Sequence, residues 1–377
     1  MNTDGKKFFL NCAASKWKFL AVFFCALPVA LGTASASESL QVLNAGYPRA
    51  FFFRSSEMMA ASPGLSYEKW EQNFERLMGI VGKALDEEIP GRSTRNLEFF
   101  TRFKQNHPQQ LVMLHYNGNA RSPLDHTEKY FAGHWLYFTG ARILSEVPDT
   151  GGVTEIRVSD PKLFLVNMGR YATAKEDIGL CELDASGKPD WNASEQVKLV
   201  SVDAGKGVIR IQRGLYGTRP RAFPAGRAYA AAHATEGPWG KSSPLLWNYN
   251  HATACPRDRN GRNCNDVLVE ELAAHFAPGG DLAAFDGLEF DVLKHSIRVG
   301  TAKGRLVDAD ADGKPDGGMV DGVNVYGSGS VEFAKSLVAK LGPGRLVMAD
   351  GWNAGDQRAF GVINGVETEG FPSLSDY

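Results

Sequence analysis

Short apolar runs that end in polar residues, set apart by helical stretches, constrain this chain most. "QLVMLHYNG" (110–118), "FDGLEFDV" (285–292), "RLVMAD" (345–350) and "GVINGVETEGF" (361–371) all have this form. Short apolar runs bounded by turn signals read as buried strands. Residues 66–88 read as an amphipathic helix, with Ser66 as N-cap and Trp70, Phe74, Leu77 and Val81 at helical spacing. Residues 94–105, 265–276 and 330–342 read as further helices, with Asn265 capping the second and Gly342 ending the third. Strands alternating with helices predict an α/β fold with parallel strands.

Adding "AGYPRAFFFR" (45–54) and "PLLWNYN" (244–250) gives six βα-type strands, near residues 51, 113, 247, 289, 348 and 366. Repeated short βα units with polar strand ends predict a (β/α)8 TIM-type barrel. That barrel closes with eight strands. The expectation is therefore a barrel truncated after about six strands.

Residues 152–233 break the rhythm. "TEIRVSD", "KLFLVNM" and "DIGLCELD" are β-like, and "VKLVSVD" and "GVIRIQR" flank "AGKG" as a hairpin. They predict an all-β module inserted over residues 151–235, between barrel segments 37–150 and 236–377.

The N-terminus reads as an address and not as fold. Lys6, Lys7, Lys16 and Lys18 precede "FLAVFFCALPVALG", and "TASASES" offers a cleavage site after Ala36. The apolar run has 14 residues, short of the roughly 20 that span a bilayer. Residues 1–36 are thus expected to direct export to the periplasm or medium, with no stable membrane insertion of the mature chain. Cys181, Cys255 and Cys264 remain after cleavage. In an oxidising compartment Cys255 and Cys264 are candidates for a short disulfide. No CxxC is present, which argues against zinc. A net charge of −2 argues against a nucleic-acid partner.

Chemistry is expected at the C-terminal strand ends, where TIM barrels carry their active sites. Those ends hold His115 and Asn117, Asn248 and Asn250, Glu289 and Asp291, Asp350 and Trp352, then Glu367 and Glu369. Glu289 and Asp291 are two residues apart and point to one side of a strand, as do Glu367 and Glu369. Carboxylates are seldom buried without partners. Cleaving a glycosidic bond needs two of them, one giving a proton and one attacking or activating water. His115 reads either as a substrate ligand or as a structural histidine, and Trp352 either as a sugar platform or as packing.

The order "FDGLEFDV", "DADADGKPDGG", "RLVMADGWN", "INGVETEGFP" resembles bacterial glycoside hydrolases of TIM-barrel type, most of all the group called hypothetical glycoside hydrolase family fifteen, a relative of the alpha-galactosidase-like barrels. The similarity covers residues 244–377 and, more weakly, 45–118. It implies a carbohydrate substrate, with Asp291 as nucleophile or base and Glu369 as the acid. The other strand-end polar residues would then bind substrate. The alternative is a secreted, catalytically inactive carbohydrate-binding or surface protein stabilised by calcium.

"VDADADGKPDGG" (307–318) supplies that calcium reading. From Asp308, the positions of an EF-hand loop fall on Asp308, Asp310, Asp312, the Lys314 carbonyl and Asp316, with Gly313 at the sixth place. The twelfth place is Met319, where a bidentate glutamate is usual, and Asp321 is a candidate substitute. The loop is therefore expected to hold structural Ca2+ and not to act as a sensor.

Overall fold

The computed structural model describes residues 51–367, apart from 54, 55, 57–59, 61, 86–92, 170, 298, 301, 351–356 and 360. All of them belong to the compact unit Ala36–Tyr377.

A six-stranded parallel sheet organises the site. β1 (Phe51–Phe53) leads through α1 (Tyr67–Phe74) to β2 (Gly79–Gly82), then through α2 (Ser93–Asn106) to β3 (Leu111–Asn117). The chain next runs through β4 (Ala120–Arg121), β5 (Tyr137–Phe138), β6 (Ala141–Ile143), β7 (Gly152–Arg157), β8 (Asp177–Leu183), β9 (Pro189–Asp203), β10 (Val208–Arg213), β11 (Ala228–Ala232), β12 (Thr235–Glu236) and β13 (Leu246–Asn248). It returns through α3 (Cys264–Phe276) to β14 (Gly287–Asp291). Short strands β15 (Val307–Asp308), β16 (Met319–Val320) and β17 (Val323–Asn324) precede α4 (Val325–Leu341), β18 (Leu346–Asp350) and β19 (Gly365–Glu367). The sheet order is β1-β2-β3-β14-β18-β19, with every pair parallel.

Strand alternation sorts the two faces of this sheet. Val112, Leu114, Leu288, Phe290, Val347 and Ala349 pack with helix residues such as Trp70, Phe100, Phe103 and Phe333. Phe290 and Phe333 meet edge to face at 5.5 Å. Val81, Leu111, Met113 and Leu346 form a separate apolar cluster. Gly287 is required where β14 meets β18, because a Cβ there would lie 1.9 Å from the Leu346 carbonyl oxygen. Asp286 accepts from the Val112 amide at 2.9 Å and pairs with Lys104 at 2.8 Å, which fixes the start of β14 against β3 and α2.

The middle of the chain forms a six-stranded antiparallel sheet, ordered β6-β11-β8-β9-β10-β7. The hairpin over "AGKG" is present, with Asp203 opposite Val208 and a register shift between Arg210 and Ile211. One face carries Ile178, Leu180, Val197, Leu199, Ile209 and Ile211. The opposite face gives Cys181, Trp191 and Tyr229 to the main core. The fold is thus mixed α/β, with one parallel and one large antiparallel sheet.

Several expectations change. The sixth parallel strand is β2 and not the run near 247. Residues 66–88 do not form one helix, because α1 ends at Phe74 and "GIVG" is fully buried as a strand. β13 pairs antiparallel with β4 and β12 in a separate three-stranded sheet. Asn263 caps α3, accepting from the Asp266 amide at 3.0 Å. Asn265 instead donates to the His251 and Gly329 carbonyls. "KLFLVNM" forms a short turn of helix at Pro161–Leu163, entered from Asp160, and no strand. Cys255 and Cys264 are separate buried thiols with no bond between them, and burial pushes the Cys255 thiol up to about 12. Ser66 and Gly342 cap their helices as the sequence predicts. No helix among the described residues is long and apolar enough to cross a membrane.

Phe333 lies fully buried beneath the sheet. Phe333→Ala should lower stability by about 3–5 kcal/mol in denaturant unfolding. Val323→Ala, at an exposed position, should stay within about 0.5 kcal/mol. Equal effects at the two sites would contradict this packing.

Candidate active site at the strand ends

Register stacks side chains in tiers on the sheet face away from the helices. The lowest tier is Val81, Met113, Gly287 and Leu346. The next is His115, Glu289, Met348 and Gly365. The top tier aligns Asn117 with Asp291 and Asp350 with Glu367. Apolar residues therefore give way to carboxylates toward the C-terminal ends. A cleft of about 390 Å³ follows this face, with Met113, Leu346 and Met348 at one end and Glu289 and Glu367 at the other.

His115 sits between two carboxylates. Its Nδ1 is 2.6 Å from Glu289 Oε2, and its Nε2 is 3.8 Å from Asp291 Oδ2. The Glu289 side chain is 2% exposed, whereas that of Asp291 is 37% exposed. Burial holds the Glu289 carboxyl well above the usual range, and the charges of Glu367, Asp291 and Asp350 push it the same way. One buried carboxyl is thus kept protonated beside one open to solvent. Asp350 is also buried and has Lys294 Nζ at 3.6 Å.

The backbone is strained at this point. Val292, next to Asp291, has φ 64°. A β-branched residue rarely adopts the left-handed region, and such outliers gather at functional sites. The Val292 amide donates to Asp350 Oδ2 at 3.3 Å, which ties the turn to β18.

Other predicted residues have different partners. Asn117 donates to Glu236, and Asn119 donates to the same carboxylate at 3.0 Å. Glu236, on β12, is buried and was not singled out by the sequence, since nothing near it reads as a strand end of the parallel sheet. Asn248 lies on antiparallel β13 and donates to the Asn119 carbonyl at 3.4 Å. Asn250 donates to the Ala309 carbonyl at 2.8 Å and so supports the aspartate loop. Both asparagines are fully buried and bond to backbone carbonyls of neighbouring segments. Trp352 and Glu369 lie outside the described residues.

In the aspartate loop, Asp308, Asp310 and Asp316 each offer an oxygen within 4.8 Å of one another. Asp308 accepts from the Asp312 and Gly313 amides at 3.0 and 2.8 Å. Asp316 accepts from the Ala309 and Gly318 amides at 2.7 and 2.6 Å. Burial, reinforced by the Asp310 and Asp316 charges, raises the Asp308 carboxyl to about 8 despite the Gly313 hydrogen bond. Asp312 turns aside and pairs with Lys314 at 3.2 Å. Three of the five expected ligand residues therefore converge. The oxygen set suits a hard cation such as Ca2+.

No family model matches the chain, and no curated protein matches it. A solved structure, the crystal structure of Cryptosporidium parvum pyruvate kinase, is similar at 9% identity and a TM-score of 0.22, over 88% of this chain and 68% of that one. A likeness this weak carries no argument about fold or function.

The Glu289 carboxyl has a folded pKa above its unfolded value of about 4.5. Its stabilising contribution is present in full below about pH 4.5 and is lost as pH rises through the folded pKa. Glu289→Gln should therefore flatten the fall in unfolding free energy above that pH. An unchanged pH slope in the variant would contradict a protonated Glu289.

Proposed function

We propose that this chain is an exported glycoside hydrolase that cleaves a poly- or oligosaccharide with a pair of carboxyl groups. The observation that carries this reading is the convergence of Glu289, Asp291, Asp350 and Glu367 on adjacent parallel strand ends around His115. A cluster of carboxyl groups, one of them buried and held well above the usual carboxylate range, matches what glycosidic cleavage needs. Asp291, the more open carboxylate, is the proposed nucleophile or base. Glu369, two residues beyond Glu367 in the sequence, is the proposed acid. Glu289 holds His115 and keeps a proton within the cluster. The parallel sheet, with helices on one face and tiers on the other, supports a (β/α)8-type barrel as the parent architecture.

Asp291→Asn should lower the release of reducing ends from α-linked glycans by at least about a hundredfold. Unchanged turnover would sink the assignment of Asp291. Glycan binding by the native chain with no turnover on any glycan would favour the inactive carbohydrate-binding reading.

Calcium at Asp308, Asp310 and Asp316 is the proposed structural ion. At a hundredfold excess over its Kd, a ligand specific to the folded state adds about 2.7 kcal/mol. A chelator should lower the melting temperature of the native chain and leave Asp308→Asn unaffected. Identical melting with and without chelator would exclude the ion.

A further inference from the structure

A second cleft, of about 440 Å³, lies in the antiparallel half of the molecule and shares no residue with the strand-end tiers. We infer that it binds a neutral, polyhydroxylated ligand, of which an oligosaccharide is the natural class. The volume falls in the range of roughly 300–1,000 Å³ typical of small-ligand sites.

Its floor is aromatic and rigid. Tyr137 stacks on Trp191 at 4.0 Å with the rings 10° apart. Gln196 donates to the Tyr137 hydroxyl at 3.0 Å and bonds His233 Nε2 at 2.8 Å. His233 in turn stacks on Trp247 at 3.7 Å. Trp247 donates its indole N–H to Asp177 at 2.8 Å. A floor fixed in this way loses little freedom when a ligand arrives.

Three features set the ligand class. Phe131 and Tyr216 stand half-buried in the walls, as flat apolar faces for the C–H face of a ring. Asn192, Ser194, Thr218 and Asn260 supply neutral amides and hydroxyls around them. Most charges nearby are already engaged, Lys129 with Glu271 at 2.8 Å, Asp258 with Arg262 at 2.8 Å, and Glu128 with His126 at 3.0 Å, while Arg259 stands exposed in the lining. Among the described residues of the lining, an anion would find only Arg259 without a paired partner, whereas a ligand seated between the aromatic walls meets neutral amides and hydroxyls.

Trp191, in the lining, carries an unsatisfied donor. Its indole nitrogen is buried and has no hydrogen-bond partner among the described residues. Trp70 and Trp247, also fully buried, both donate to oxygens. A buried N–H left without an acceptor is costly, and a ligand hydroxyl oxygen would satisfy it on displacing the side chains that close over it. Tyr216 has φ 53°, a rare conformation for a bulky residue, and is held by its hydroxyl bond to Asp177.

The inference rests on the lining of the cleft and shares only its ligand class with the strand-end reading. The test is calorimetric titration of Asp291→Asn protein with maltohexaose, cellohexaose, xylohexaose and mannohexaose. At least one should bind, and adding Trp191→Phe, which removes the donor together with part of the ring stacked on Tyr137, should weaken it by about tenfold. Asn260→Ala, at an exposed rim position, should weaken the same sugar without touching the floor. Binding by none of the four sugars, or binding unmoved by both changes, overturns the inference. Binding that depends on Trp191 in a native chain without turnover sinks only the strand-end reading. Turnover with Trp191-independent binding sinks only the cleft.

Discussion

The parallel pairing of β3 with β14 is the constraint on which the rest depends. It joins His115 to Glu289, residues 174 apart in the chain, and encloses the whole antiparallel half between its two strands. Loop closure grows only as the logarithm of length, so a long excursion is affordable if the ends lock firmly. The lock is visible at the bottom of the pair, where the Asp286 carboxylate binds the Val112 amide and Lys104. It is visible again at the top, where Gly118 donates to the Asp291 carbonyl at 2.7 Å. With the register set by these contacts, the tiers of side chains follow.

The upper tiers work against folding. Glu289 is buried among carboxylates, and like charges in a shared site cannot all ionise. The fold accommodates them by keeping a proton on Glu289, bonding it to His115 and placing Lys294 beside Asp350. Val292 adds backbone strain at the same place. A sheet selected only for stability would have carried the Val81, Met113 and Leu346 pattern up to its ends. Stability lost at the strand ends and made up elsewhere is the pattern expected of a working site.

Much of this was legible in the sequence, for physical reasons. β3, β14 and β18 read clearly because each is a run of apolar residues with a polar end. Glu289 and Asp291 read as one face because strand periodicity is two. β2 was hidden because "GIVG" continues the helical spacing of α1, and its burial on both faces leaves no alternation to detect. β13 was misassigned because a triplet such as Leu-Trp-Asn does not reveal its strand direction, and its antiparallel partner β4 is two residues long. Asn265 was mistaken for the cap because Asn263 lies just upstream and competes for that role. Glu236 and the Trp191 cleft depend on contacts between distant segments, which no local pattern encodes.

The claim at the centre of this account is that the strand-end carboxyl groups are electrostatically coupled, with Glu289 keeping its proton. A 13C NMR titration of side-chain carboxyl-labelled glutamate tests it directly, with the Glu289 resonance assigned by its absence in Glu289→Gln. The account predicts a midpoint well above about 4.5, shifting downward in Asp291→Asn as one neighbouring charge is removed. A midpoint at or below about 4.5 that ignores Asp291 would contradict it.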